Sequence, residues 1–259
     1  MKHLPLPYPP APVFAIVGPS GSGKSTTIQN LLLLKLYLAY GQSLTSRSER
    51  PTDIQGKYIY DQTLSQICDA VASGEVLEWA SFAGKAYATC KPDPAKPTII
   101  DLEIQGAAQL MAFHPEYPIT FIGILPWPDF PGTDRMSSST RVDLFERNAA
   151  LRSMRFREIL QSRLEHRGDL TSAEIEARIA AGMLEIATIS NLWPNLPNAH
   201  IVRSVQGRQE DTVAAIAKII DAEHARWLEA CQAIVSSPQA KRPKKKSKRP
   251  ATLKLAPHT

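Results

Sequence analysis

Three uninterrupted apolar runs stand out along the chain: Val13-Phe14-Ala15-Ile16-Val17, Thr98-Ile99-Ile100 ahead of Asp101-Leu102, and Ile119 to Leu125. A run without polar alternation predicts a strand buried on both faces, as in a parallel sheet. Helical stretches lie between them. Thr26 to Tyr40 is leucine-rich and reads as one helix closed by Gly41, its Leu31-Leu32-Leu33-Leu34 run buried. Ala107 to Phe113 is also helical, and Ile201-Val202 is a weak fourth strand ahead of a closing helix from Gln209 to Ile234. Strand, helix, strand in this order predicts an α/β fold, a doubly wound parallel sheet with helices on both faces.

The pattern changes twice. After a polar, basic stretch from Ser43 to Pro51, short strand candidates at Tyr58–Tyr60 and Val76–Ala80 flank a helix from Leu64 to Ser73. This is the composition of a small α+β insertion. Pro126 to Ser139 holds three prolines and three consecutive serines, and reads as a loop or disordered insert. An arginine-rich helix from Val142 to Glu165 follows, then a break at Arg167-Gly168-Asp169. Thr171-Ser172-Ala173-Glu174 caps another helix running to about Ile189. The expected organisation is a Pro-rich arm at 1–12, a core from 13–41, 98–125 and 190–235, an insertion at 42–97, an insert with lid helices at 126–189, and a disordered basic tail at 236–259.

Composition narrows this further. The chain has 259 residues, 43% hydrophobic and 21% charged, which suits a globular protein with one sizeable core. Its net charge of +5 is an average over two unlike parts. From Lys241 onward there are eight basic residues and no acid, leaving 22 basic against 25 acidic residues before it. The tail is compatible with a nucleic-acid contact or an import receptor, hence a nuclear address. Cys68, Cys90 and Cys231 are odd in number and lack C-x-x-C spacing, which suggests a reducing, cytoplasmic setting without structural zinc. No secretory signal and no membrane span is read.

The densest chemistry follows the first apolar run. Gly18-Pro19-Ser20-Gly21-Ser22-Gly23-Lys24-Ser25 fits G-x-x-x-x-G-K-[ST], between a predicted strand and a predicted helix. Its glycines let successive N–H groups face an anion, and the helix N-terminus adds positive potential. This P-loop predicts ATP on Gly18, Ser20, Gly21, Ser22, Gly23, Lys24, Ser25 and Thr26, with Lys24 reaching the outer phosphates. The Ser25 hydroxyl is placed for Mg²⁺. Asp101, ending the second apolar run, stands where a P-loop enzyme puts a carboxylate toward Mg²⁺ or its water, although a helix N-cap would also use an Asp there.

A kinase with a phosphate-bearing acceptor must hold two polyanions together, so it needs arginines beyond the loop lysine. Arg47 and Arg50 lie in the insertion; Arg163, Arg167 and Arg178 bracket the Gly168 break. Each would otherwise be an ordinary surface arginine.

From Val13 to Ile189 the order of these pieces resembles the guanylate kinase (GMP kinase) family. The blocks are the loop itself, Ser43 through Arg47-x-x-Arg50 to Gly56-Lys57-Tyr58, Gly74-Glu75-Val76-Leu77-Glu78-Trp79-Ala80 leading to Tyr87-Ala88-Thr89, and Ile100-Asp101-Leu102-Glu103-Ile104-Gln105-Gly106. Arg163-Leu164-x-x-Arg167-Gly168 with Arg178 is a weaker fifth. The resemblance implies γ-phosphoryl transfer from ATP·Mg²⁺ to GMP. Arg47, Arg50, Tyr58 and Tyr87 would hold the GMP phosphate, and Ser43, Glu78, Thr89 and Glu103 its guanine. Lys24, Arg50, Arg163, Arg167 and Arg178 would serve catalysis. A carboxylate such as Glu78 accepts from guanine N1–H and N2–H₂, a donor pair that adenine lacks.

The chain departs from the family pattern in places. Glu103 stands for a usual Asp and Ala88-Thr89 for Gly-Ser. The region Ile201-Val202-Arg203-Ser204-Val205 lacks the family's adenine-side Asn. Two other functions therefore stay open: a related kinase of altered nucleotide specificity, and a non-catalytic interaction scaffold of the same fold. Such scaffolds characteristically lack a working phosphate loop.

Overall fold

The computed structural model describes residues 8–50, 53–82, 84–113, 117–129 and 138–236. Five parallel strands make the main sheet: β1 (Val13–Val17), β2 (Ala39–Tyr40), β7 (Thr98–Leu102), β8 (Ile119–Trp127) and β9 (Ala199–Val205). Their order across the sheet is β2-β7-β1-β8-β9, with every neighbouring pair parallel. All five residues of β1 are buried because both faces are covered. Val13, Ala15 and Val17 point into one core with Phe121, Phe156, Leu160, Leu164 and Ile186. Phe14 and Ile16 point into the other with Ile28, Leu31, Val213, Ile216 and Ile220. Helices α1 (Lys24–Leu34) and α7 (Gln209–Ser236) therefore line one face. The other is lined by α3 (Ile104–Phe113), α5 (Ala149–Glu165) and α6 (Ser172–Leu192).

A second sheet, order β4-β3-β6-β5, is built from β3 (Ser43–Thr45), β4 (Tyr58–Ile59), β5 (Val76–Phe82) and β6 (Lys85–Cys90). Helix α2 (Leu64–Ala72) packs Ile67 and Ala70 against it, together with Val76 and Ala88. Helix α4 (Ser138–Arg147) meets α5 at Asn148, whose side chain accepts from the Leu151 amide at 2.9 Å.

Several expectations shift. Helix α1 ends at Leu34 rather than Tyr40, because Ala39 and Tyr40 leave it to pair with Thr98 and Ile99. Of the four leucines only Leu31 is fully buried; Leu33 and Leu34 turn outward. The helix expected at 142–165 is two helices, divided by the Asn148 cap. Pro126 and Trp127 continue β8 beside Ser204 and Val205 instead of opening a loop. Helices α5 and α6 are seated in the main core, so what overhangs the cleft is the turn between them. The arm is pinned at its end: Ala11 N–H donates to the Pro94 carbonyl and the Trp227 indole to that of Pro9. Residues 1–7, 130–137 and the basic run at 241–249 lie outside the described residues. Among the described residues, no helix is long and apolar enough to cross a membrane.

Helix α2 opens on a capping box, with Thr63 and Gln66 each satisfying the other's backbone amide. Replacing Thr63 by Ala is expected to lower unfolding stability by about 1 kcal/mol, read from the urea midpoint.

Candidate active site

The site lies at the carboxyl ends of β1 and β7, where open α/β sheets bind ligands. Parallel register sets Val17 opposite Leu102 and Ile16 opposite Asp101. The phosphate loop and the Asp101–Glu103 segment therefore leave the sheet at the same height. Gly23 takes a left-handed φ of 95° directly ahead of α1, a conformation that L side chains resist. Lys24 folds back with its ammonium donating to the Gly18 carbonyl. Burial would lower its pKa, but the carboxylates of Asp101, Glu103 and Glu185 outweigh that and hold it above an ordinary lysine.

A cavity of about 810 Å³ opens over the loop. Ser20, Gly21, Gly23, Lys24, Ser25 and Thr26 line it on one side, and Arg47, Arg50, Lys57, Tyr58, Arg167 and Arg178 on the other. Six cationic and four acidic side chains face it, a net charge of +2. Arg178 Nη1 donates to Ser20 Oγ at 3.1 Å, tying α6 to the loop. Desolvation, reinforced by the neighbouring charges of Arg167 and Arg50, holds Arg178 below the usual guanidinium range.

Three residues expected around the loop do not line this cavity. Ser22 is buried beneath the loop, its hydroxyl without a hydrogen-bond partner among the described residues. Arg163 does not line the cavity. Its guanidinium is spent on carbonyls, donating to Gly21 at 3.2 Å and to Ser204 at 2.9 Å. It braces the loop against the end of β9. Gly18 does not line the cavity either.

A second, adjoining cavity of about 300 Å³ is lined by Ser43, Arg47, Arg50, Tyr58, Glu78, Tyr87, Thr89 and Glu103, every acceptor residue expected from sequence. Strand register assembles part of this set. Ser43 and Glu78 both pair with Thr89, from β3 and β5 on either side of β6, so three polar side chains form one row. A register shift between Val76 and Glu78 sends Leu77 into the main core and leaves Glu78 in the pocket. Thr89 Oγ1 donates to Glu78 Oε1 at 2.5 Å and lies 3.3 Å from Ser43 Oγ. Burial pushes the Glu78 carboxyl up to about 6, partly offset by the Thr89 hydrogen bonds.

Arg47, Arg50, Tyr58, Asp101, Glu103 and Arg178 line both cavities and so form their shared wall. Three residues on or behind this wall were not singled out from sequence. Asp53 receives both arms of the Arg47 guanidinium, at 2.6 and 2.8 Å, fixing it over the Tyr58 ring. Lys57 is buried and paired with Asp101 at 2.6 Å. Burial would raise the Asp101 pKa, but Lys57 and Lys24 together pull it below the usual carboxylate range. Glu185, inward-facing on α6, is pushed up to about 8 by desolvation and by Glu103, with Lys24 opposing. An acid three residues after Arg50 was a legible hint of Asp53. The burial of Lys57 and Glu185 follows from contacts no local pattern carries.

A phosphate loop facing an arginine-lined pocket on a separate small sheet defines a class, the P-loop proteins of the nucleoside monophosphate kinase type. The sequence model of the family described as guanylate kinase matches residues 12–159. A guanylate kinase from Trichormus variabilis is 31% identical over 181 residues, covering 68% of this chain and 88% of that protein. Another, from Thermosynechococcus vestitus, is 34% identical over 119 residues, 44% of this chain and 62% of its own length. The crystal structure of guanylate kinase from Anaplasma phagocytophilum superposes with a TM-score of 0.52 at 17% identity, covering 90% of this chain and 98% of that one. The chain belongs to the guanylate kinase family.

The raised Glu78 pKa has a consequence for stability. The folded state keeps this proton to higher pH than the unfolded chain, so the contribution is unfavourable above about pH 4.5 and reaches its full cost above pH 6. Glu78→Gln is therefore expected to gain about 1 kcal/mol more in unfolding stability at pH 8 than at pH 5, measured by denaturant titration at both.

Proposed function

We propose that this chain is an ATP:GMP phosphotransferase, transferring the γ-phosphoryl group of ATP to GMP, and to dGMP, to give ADP and GDP or dGDP. The observation that carries the proposal is the meeting of all eight acceptor-side residues in one pocket that opens into the cavity over the phosphate loop. Two phosphate esters held in these pockets would face each other across Arg47, Arg50 and Arg178.

The residues divide the work by charge. The loop amides and Lys24 hold the outer phosphates of the donor. Arg50, with Arg47 fixed by Asp53, and the Tyr58 and Tyr87 hydroxyls hold the acceptor phosphate. Glu78 accepts from the guanine N1–H and N2–H₂ while Ser43 and Thr89 supply hydroxyls beside it. Glu103 approaches the same base from β7. Arg167 from the α5–α6 turn and Arg178 from α6 exclude water and spread the transition-state charge. Positioning and electrostatics suffice, because phosphoryl transfer asks for little covalent work by the protein.

Ser25 and Asp101 supply oxygen donors to one cavity, a set that fits Mg²⁺. Among the described residues no group of three His, Cys, Asp or Glu could cage a metal. That suits an ion carried mainly by nucleotide phosphates and water. When bound, it would neutralise charge on the β- and γ-phosphates. A cytoplasmic location, where these nucleotides are made and used, completes the proposal.

A coupled assay with ATP and, in turn, GMP, dGMP, AMP, CMP and UMP tests it. GMP should be strongly preferred, and Lys24→Ala should lower kcat/KM by about 10³-fold or more. Transfer to no acceptor would leave the scaffold reading; preference for another base would leave altered specificity. The Glu78 pocket gives a sharper check. A Cβ at Gly106 would stand 2.4 Å from Glu78 Oε2, so Gly106→Ala must displace the carboxylate. KM for GMP is expected to rise at least tenfold with KM for ATP nearly unchanged, an outcome that equal damage to both would contradict.

A further inference from the structure

Lys57 is the most conspicuous charged side chain without an assigned task. Its ammonium is fixed 2.6 Å from Asp101 Oδ2, and the two side chains are only 8% and 11% exposed. Its backbone belongs to the acceptor side: the Lys57 carbonyl accepts from the Ser43 amide, and its own N–H donates to Ile54. The side chain therefore reaches from the small sheet to the carboxyl end of β7, 44 residues away in sequence.

Its surroundings place it against the wall that the two cavities share, beside Tyr58 and Asp101. The Nζ lies 4.7 Å from the Tyr58 ring centroid, and Arg47 Cζ lies 4.5 Å from the same centroid. Asp101 interacts with both Lys57 and Lys24, so two ammonium groups share one carboxylate. Lys24 also faces Glu103 and Glu185, so Asp101 stays paired with Lys57 in a nearly dry position, where desolvation offsets much of the attraction and an arriving anion can compete for the ammonium. Lys57 lines the cavity that holds the loop residues.

We propose that Lys57 is a further catalytic residue: on binding of both nucleotides its ammonium turns from Asp101 to an oxygen of the phosphoryl group in transit. This rests on the phosphotransferase reading above. In the step itself, a bond forms between the γ-phosphorus of ATP and an anionic oxygen of the GMP phosphate. The bond to the β–γ bridging oxygen breaks, and ADP departs with its electron pair. No proton need move. Charge migrates from the γ-phosphate to that bridging oxygen, and a lysine entering from the acceptor side complements Lys24 on the donor side.

The test compares full-length wild type with Lys57→Met, which keeps the stem and loses the charge, and Lys57→Arg. Lys57→Met should lose about 100-fold in kcat with KM for GMP within about threefold, and Lys57→Arg should recover much of the loss. Calorimetry with a bisubstrate in which five phosphates join adenosine to guanosine should show at least tenfold weaker binding to Lys57→Met, with guanosine binding unchanged. Wild-type kcat in Lys57→Met, or equal losses for guanosine and bisubstrate, would overturn the assignment and leave Lys57 a tie between the sheets. Should Lys57→Met fail to fold, a crystal of wild type with the bisubstrate decides: Nζ on a phosphate oxygen supports the assignment, and Nζ still on Asp101 refutes it. A wild type that transfers no phosphoryl group would sink the proposed function and the catalytic role of Lys57 with it, whereas an active wild type with wild-type kcat in Lys57→Met would sink the Lys57 assignment alone.

Discussion

The parallel pairing of β1 with β7 is the constraint on which the cleft depends. Because Ile16 lies opposite Asp101 and Val17 opposite Leu102, the phosphate loop and the Asp101–Glu103 corner emerge side by side. A slip of one residue would turn Asp101 to the opposite face of the sheet. The register is held by burial on both faces. Val13, Ala15 and Val17 fill one core, and Phe14 and Ile16 the other, so a one-residue slip would exchange the side chains each core is packed around. The small sheet then needs only to lean against this edge for its acceptor pocket to open toward the loop.

The cleft keeps charge in places where folding alone would not put it. Glu78 stays in its pocket against a desolvation cost softened by Thr89. Lys57 and Asp101 are both nearly dry, and Arg47 is 6% exposed with Asp53 closing its fork. A buried ion pair seldom adds net stability, since desolvation consumes most of its attraction. These pairs make sense as preorganisation: the arginine and the lysine stand in position before any phosphate arrives, so little reorganisation is left for binding. The two large hydrophobic cores stabilise the fold that carries this cost.

Sequence legibility follows the range of the interactions involved. The phosphate loop was readable because its glycines, lysine and serine act within eight consecutive positions. β1 and β7 were readable because full burial leaves a continuous apolar run. β3 and β6 were not, since Ser43, Leu44 and Thr45, like Lys85 to Cys90, carry too little alternation to signal a strand. Their pairing supplies the pattern. Helix α1 was overestimated because its leucines continue past Leu34, where pairing with β7 outweighs helix propensity. Arg163 was expected with the other lid arginines, but packing of α5 against the loop directs it to backbone carbonyls.

What the amino-acid order determined by itself was a parallel α/β core and an anion-binding loop, each written in neighbouring residues or in a continuous run of burial. The residues of the acceptor pocket were legible only through the resemblance to the guanylate kinase family. Tertiary structure alone decided which charges face one another. Lys57 meets Asp101 across 44 residues, Thr89 stands between Ser43 and Glu78, and Gly106 leaves room for a carboxylate from another sheet. The physical reason is that Coulomb and desolvation energies depend on distance and exposure in space, and separation along the chain reports neither.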